Sequence, residues 1–157
     1  MTIAVSSRLS SAKIVAEAEL ARFIDAAAGA GAGAVVSFCG IARPETASGD
    51  PVGELHLDHY PGMTERSLQA IVEAGAQRFE VGHALVVHRC GTILPGEVIV
   101  FVAAASPHRR AAFNAADYLM DRLKTEAVFW KRERGPGGTR WIEPSDGDRA
   151  DQARWRD

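Results

Sequence analysis

The chain has 157 residues, of which 46% are hydrophobic and 24% are charged, and its formal net charge is −2. This length and composition predict one globular domain with a substantial core, and they exclude intrinsic disorder. The small net charge argues against nucleic-acid binding, which normally requires a strongly basic face. No apolar run is long enough for a transmembrane helix, and two cysteines predict neither a disulfide framework nor a zinc site. A reducing cytoplasm is the expected location.

The first half of the chain predicts helices that alternate with strands. Hydrophobic patterns and β-branched residues predict strands at 3–5, 34–42 and 52–60, and helices at 12–28 and 64–79. Ser10 or Ser11 can cap the first helix, and the glycine-rich run that follows residue 28 ends it. The segment PETASGDP between two of the strands reads as an exposed loop.

The second half predicts more strands and one further helix. Strands are expected at 82–89, 97–105, 129–134 and 139–142, and a helix is expected from 107 or 108 to about 125. The Pro95-Gly96 turn predicts that the first two of these strands form a hairpin. Adjacent strands mixed with helices favour an α+β fold, with a single domain over 1–144. The polar tail, 145–157, is expected to fray.

Lysine is scarce in this chain. Fifteen of the 18 basic residues are arginine, and the three lysines are Lys13, Lys124 and Lys131. A lysine at a helix end is usually a favourable partner of the helix dipole. However, lysine can lose its proton and act as an acid, base or nucleophile, whereas arginine cannot, and crowding by other cations lowers its pKa. The pair Lys124 and Lys131 is therefore a candidate for chemistry.

The start of the last long helix carries His108, Arg109 and Arg110. Free backbone N–H groups and guanidinium groups there suit a phosphate or carboxylate, although a solvated helix end explains the same residues. Arg43, which follows a predicted strand, is either a ligand clamp or a surface charge. The remaining histidines have no ligand spacing, so we expect no metal site.

Several segments resemble one known family, the large catalytic subunits of molybdopterin synthase (the MoaE family). They are residues 58–65 (DHYPGMTE), 87–91 (VHRCG), 106–109 (SPHR), 120–133 (MDRLKTEAVFWKRE) and 138–143 (GTRWIE). The segments occur in the family's order, and the resemblance covers roughly residues 34–143. It implies an α/β-hammerhead type of fold within the α+β class, with a mixed sheet and flanking helices.

The resemblance also implies an activity and an assembly. The family converts cyclic pyranopterin monophosphate to molybdopterin, a step of molybdenum cofactor biosynthesis. The two sulfurs come from the C-terminal thiocarboxylate of a small ubiquitin-like partner. Two large subunits form a homodimer with one small subunit at each end, giving a heterotetramer. The resemblance implies no metal or other cofactor for the transfer, and no nucleic-acid or membrane partner.

Site residues transfer by position. Lys124 and Lys131 match the two active-site lysines, and we favour Lys124 for the chemistry, with Lys131 assisting. The substrate-binding candidates are Arg43, His108, Arg109, Arg132 and Glu133. Two positions depart from the family pattern: Ile41 replaces a residue that is often basic, and Val128, where proline is common, is expected to relax the turn that follows the helix.

Two other classes of function stay open beside the enzyme. A non-catalytic module could use the same cationic pocket to hold a phosphorylated metabolite or the C-terminal tail of a partner. A nucleic-acid binder could use Arg109, Arg110, Arg132 and Arg134, but the net charge and the few exposed aromatic residues expected argue against it.

Overall fold

The computed structural model describes residues 5–156, which fold into two four-stranded sheets and four helices. In chain order the elements are β1 (Val5–Ser10), α1 (Ala16–Gly29), β2 (Ala34–Ile41), β3 (Glu54–His59), α2 (Met63–Phe79), β4 (His83–Arg89), β5 (Gly91–Ile93), β6 (Val98–Ser106), α3 (Arg109–Glu126), β7 (Phe129–Gly135), β8 (Gly138–Ile142) and α4 (Asp146–Ala153). The first sheet has the order β1-β4-β6-β2, and the second has the order β5-β3-β7-β8.

The first sheet is mixed and carries helices on both faces. β1 runs parallel to β4, while the β4–β6 and β6–β2 pairs are antiparallel. Successive side chains of a strand point to opposite faces. Val86 and Val102 therefore pack with α2 and α3, whereas Val87 and Phe101 pack with α1. Burial on both faces explains why β4 and β6 read as nearly continuous apolar runs.

A glycine allows α2 and α3 to pack closely against each other. A Cβ atom placed on Gly75 of α2 would lie 2.7 Å from the Cδ2 atom of Leu119 on α3. Real Cβ atoms do not come this close to a neighbour, so the position requires glycine unless the buried Leu119 side chain shifts. This close approach determines how α3 packs against α2.

The second sheet is antiparallel and has a small core of its own. Leu57 of β3, Ile93 of β5 and Ala42 form a buried cluster against which Phe129 of β7 packs. The turn between α3 and β7 is tied to α2, because Thr64 Oγ1 donates to the Val128 carbonyl at 2.7 Å and Val128 N–H donates to Ser67 Oγ at 3.3 Å. Proline has no N–H for the second bond, so Val128 holds this turn rather than relaxing it.

The structure confirms the α+β class, the mixed sheet and the hairpin of β4 with β6. The first strand is longer than expected and lies later, at Val5–Ser10; residues 3 and 4 of the expected strand lie outside the described residues. The first helix begins at Ala16 rather than at 12 and has no side-chain cap. Ser10 Oγ instead donates to the carbonyl of Ala12 at 2.7 Å, which keeps this segment out of the helix.

The prediction of a frayed polar tail is wrong for most of its length. Residues Asp146–Ala153 form α4, which packs on α3. The helix begins with reciprocal hydrogen bonds: Ser145 Oγ accepts from Asp148 N–H, and the Asp148 carboxylate accepts from Ser145 N–H, each at 3.0 Å. Such a capping box starts a helix that buries no side chain of its own.

Candidate active site

A cavity of about 680 Å³ lies where the two sheets, the end of α3 and the start of α4 meet. β2 and β6 supply one wall, β3, β7 and β8 supply another, and α3 and α4 close the side. The polar and charged residues that line it are Cys39, Arg43, Glu45, Thr46, His88, Lys124, Lys131, Glu133, Arg140, Glu143, Ser145 and Asp148. Its apolar lining includes Leu57, Ile99 and Val100, so charged groups here have less water around them than at an open surface.

The two lysines reach this cavity from different elements. Lys124 stands in the last turn of α3, one turn after Met120, and its side chain is exposed at the cavity. Lys131 points inward from β7, because alternate residues of a strand share a face and Glu133 also lines the cavity. Burial, and then the charge of Lys124, lower the pKa of Lys131. This lysine therefore gives up its proton more readily than a free one.

His88 of β4 lies against the same cavity and is buried. Its ring stacks on Phe129 with the ring centroids 4.3 Å apart, and its Nδ1 lies 2.9 Å from the carbonyl oxygen of Arg89. A carbonyl can only accept, so Nδ1 carries the proton and Nε2 is an acceptor in the neutral ring. Burial is the main cause that lowers the pKa of His88 to about 4, and the charge of Lys131 adds to it. The imidazole is therefore neutral at pH 7.

Of the four carboxylates that line the cavity, Glu133 and Asp148 are half-buried, and they differ in their partners. Glu133 of β7 accepts a hydrogen bond from Arg140 of β8 at 2.7 Å, so an arginine already balances its charge. Asp148 of α4 accepts instead from the backbone of Ser145. Burial opposes ionisation of Asp148, but these hydrogen bonds and the charges of Lys124 and Lys131 together lower its pKa. Asp148 is therefore ionised at neutral pH.

The structure brings together four of the seven site residues proposed from the sequence. Arg43, Lys124, Lys131 and Glu133 line the cavity, and Ile41 contributes an apolar side chain where the family often has a basic one.

Three candidates lie elsewhere in the single chain. His108 and Arg109 are exposed at the start of α3. Lys124 follows Arg109 by fifteen residues, so a rise of about 1.5 Å per residue separates their backbones by roughly 22 Å. Arg132 points to the opposite face of β7, where its guanidinium lies 5.9 Å from the Trp141 ring and 3.8 Å from Asp58. The substrate-binding role of these three residues stays a prediction.

Sequence reasoning missed His88 and Asp148. His88 falls within the VHRCG segment that carries part of the resemblance. It has no partner at the spacing of a metal ligand, so the sequence did not indicate it as a site residue. Asp148 lies in the tail that was expected to fray. The signal that points to it is the serine three residues earlier, Ser145, which forms a capping pattern with an acidic residue at the third helical position.

The fold and the cavity together define a class of protein. It is an α+β protein whose cavity presents two lysines and an arginine, suited to an anionic small molecule and to proton transfer. The family model described as "MoaE protein" matches residues 9–126, which include Lys124 but end before Lys131 and α4.

Known proteins are similar over more of the chain. The molybdopterin synthase catalytic subunit of Caulobacter vibrioides is 50% identical over 123 residues, which cover 78% of this chain and 80% of that protein. The catalytic subunit of Escherichia coli is 48% identical over 123 residues, with 78% and 81% covered. A solved structure, the MoaE protein of Burkholderia ambifaria, superposes with a TM-score of 0.79 at 36% identity and covers 96% of this chain and 97% of its own. The chain belongs to the MoaE family.

Proposed function

We propose that this chain is the catalytic subunit of a molybdopterin synthase and converts cyclic pyranopterin monophosphate to molybdopterin. The observation that carries the proposal is the meeting of Lys124, Lys131 and Arg43 at one cavity. The substrate carries a phosphate, and the sulfur donor is a thiocarboxylate, so both reactants are anions. These three cations can bind both anions, and the apolar walls of the cavity strengthen such contacts.

The three cationic residues differ in chemistry and in depth within the cavity, and we assign each a different role. A guanidinium group such as that of Arg43 can hold a phosphate with two hydrogen bonds. Lys124, exposed at the cavity, donates a proton to the oxygen that leaves or stabilises the charge that develops on the thiocarboxylate adduct. Lys131 lies deeper on β7 and assists. Its lowered pKa increases the fraction of Lys131 that is present as the neutral amine, the form that can accept a proton.

The proposed assembly contains a small sulfur-carrier subunit and a second copy of this chain. The relatives are named catalytic subunits, which describes one part of a larger enzyme. The separation of roughly 22 Å along α3 also argues for a dimer, because one chain cannot direct Arg109 and Lys124 at the same small substrate. A second protomer that placed the start of its α3 near this cavity would complete the site, as the expected heterotetramer allows.

No resident cofactor is part of the proposal, since sulfur and substrate both arrive from outside. Among residues 5–156, no group of three or more His, Cys, Asp or Glu side chains is arranged to hold a metal ion. No helix in that range is both long enough and apolar enough to cross a bilayer. The cytoplasm stays the expected location.

Reconstitution tests the proposed function. The protein is mixed with a thiocarboxylated small subunit and cyclic pyranopterin monophosphate, and the dithiolene product is measured. We expect product only when all three components are present. Binding of both components without product would contradict the enzyme and favour a non-catalytic binding module.

Co-expression tests the shared site. Lys124→Ala and Arg109→Ala should each abolish turnover alone. In a dimer that contains one protomer of each variant, one pocket carries both substitutions and the other pocket carries neither. If the pocket is shared, co-expressed variants should recover about a quarter of the wild-type activity, because random pairing leaves one pocket in four complete. No recovery would contradict the shared pocket.

A further inference from the structure

The C-terminal helix α4 is fixed to the body of the protein at its far end. Asp121 of α3 is buried, and its Oδ2 atom accepts from Trp155 Nε1 at 2.6 Å and from Arg154 Nη2 at 2.7 Å. The Trp155 ring also packs edge-on against Tyr118 and Phe79, with centroids 5.6 and 5.5 Å apart. Charge-assisted hydrogen bonds to a buried carboxylate are among the stronger ones in proteins. This contact therefore fixes where α4 lies.

The near end of α4 stands at the cavity. Asp148 is the third residue of the helix, and the hydrogen bond from Ser145 N–H orients its carboxylate. Both Asp148 and Ser145 line the cavity together with Lys124 and Lys131. A segment of low hydrophobicity is thus held at both ends in a way that brings one carboxylate to the lysine pair.

The charges around Lys131 come from every element that faces it. Lys124 comes from α3, the neutral His88 from β4 and Asp148 from α4. β7 and β8 supply the paired Glu133 and Arg140. The remaining charged residues at the cavity are exposed: Arg43, Glu45 and Glu143. Of these residues, Lys124 lowers the pKa of Lys131 and Asp148 raises it. Arg140 already balances Glu133, and Asp148 is the carboxylate of this set whose charge acts on Lys131.

We propose that Asp148 is a positioning residue for the lysine pair: its carboxylate offsets the repulsion between the two ammonium groups and holds both side chains toward the cavity. This role deepens the proposed sulfur-transfer function and rests on it. Without the carboxylate, two like charges in a partly apolar cavity move apart into solvent or lose a proton. With it, both lysine side chains stay directed at the reacting groups.

Asp148→Asn tests the role. Asparagine keeps an oxygen that can accept from Ser145 N–H, so α4 still forms, but it removes the negative charge. Asp146→Asn is the matched control. Asp146 lies two residues earlier in the same turn, is fully exposed, and does not line the cavity. Asp148→Glu restores the charge and should return the wild-type behaviour.

The direct readout is the titration of Lys131 in the protein alone, followed by NMR of ¹³C-methylated lysines. Removal of a nearby anion destabilises the ammonium form, so we expect Asp148→Asn to lower the pKa of Lys131. Asp146→Asn should leave it unchanged. An Asp148→Asn variant that titrates as the wild type does would overturn the proposal.

The second readout is turnover in the reconstituted enzyme. The alkaline limb of the pH profile of kcat should move to lower pH in Asp148→Asn and stay in place in Asp146→Asn and Asp148→Glu. The two readouts separate the proposals, because the titration needs no turnover. If the wild-type protein makes no product, the proposed function fails, while the titration still decides whether Asp148 acts on the lysines.

Discussion

In the first sheet, β4 and β6 are buried along nearly their whole length, whereas in the second sheet β7 and β8 keep most side chains half-buried or exposed. The first sheet lies between α1 on one face and α2 with α3 on the other. The second sheet has a small apolar cluster and carries charge on both faces of β7. The comparison shows that one sheet supplies stability and the other presents reactive groups. Substitutions in the first sheet should therefore lower stability, whereas substitutions in the second sheet should lower activity.

The largest loss of stability is expected in the first sheet. Phe101 of β6 is fully buried against α1. Phe101→Ala should lower the free energy of unfolding by about 3–5 kcal/mol, because it removes apolar contacts and leaves a cavity. Urea unfolding followed by circular dichroism measures this. A loss below about 1 kcal/mol, which is roughly the contribution of one buried methylene group, would show that the first sheet is not the main core.

His88 connects the two sheets and should make stability depend on pH. Its pKa in the folded protein is about 4, below an unfolded value of about 6.5. The unfolded chain therefore binds the proton first, and stability falls as the pH drops below about 6.5, reaching its full loss below about 4, of order 3 kcal/mol.

His88→Phe keeps an aromatic ring against Phe129 and removes the titrating group. We expect the unfolding free energy of this variant to change less between pH 7 and pH 4 than that of the wild type. Unfolding in urea at several pH values measures the difference. Equal slopes for the two proteins would contradict a buried neutral imidazole.

Lys131 should show the opposite pattern from Phe101. Lys131→Met removes a charge that burial disfavours and keeps an unbranched side chain, so the free energy of unfolding should stay equal or rise. Turnover should fall by roughly 100-fold, the usual contribution of a positioned acid or base. Reconstituted turnover and urea unfolding of the same sample test this. A large loss of stability would show that Lys131 serves the fold.

The smallest effect is expected at the anchor of α4. Trp155→Phe keeps a ring near Tyr118 but loses the hydrogen bond from Nε1 to Asp121. The loss should be about 1–2 kcal/mol, since Arg154 still contacts the carboxylate. Limited proteolysis should cut the chain near 145 sooner in the variant. Equal cleavage rates would contradict the anchoring contact.

The periodic elements were predictable because local patterns determine them. β4 and β6 show buried-strand composition, and α2 and α3 show helical spacing. The start of α1 was placed too early, since the chain before it uses Ser10 to bond a nearby carbonyl rather than to cap the helix. α4 was not predicted because the helix has no buried residue of its own. The hydrogen bond from Trp155, just after α4, to Asp121 joins residues that are far apart in the sequence.

The site was predictable where a motif carried it. Lys124, Lys131 and Glu133 share one segment, and all three reach the cavity, but Arg132 between them does not, because β7 alternates its faces. His88 could not be assigned from the sequence, since its tautomer depends on a backbone carbonyl and its burial on stacking with Phe129.

The most direct test of the account compares two of the three lysines in the reconstituted enzyme. Lys124→Arg keeps the positive charge at the cavity and loses the amine that can transfer a proton. Lys13→Arg makes the same change outside the cavity. The account predicts that Lys124→Arg loses turnover by roughly 100-fold or more while Lys13→Arg retains it. Full turnover in Lys124→Arg would contradict the claim that a titratable amine at the end of α3 carries the chemistry.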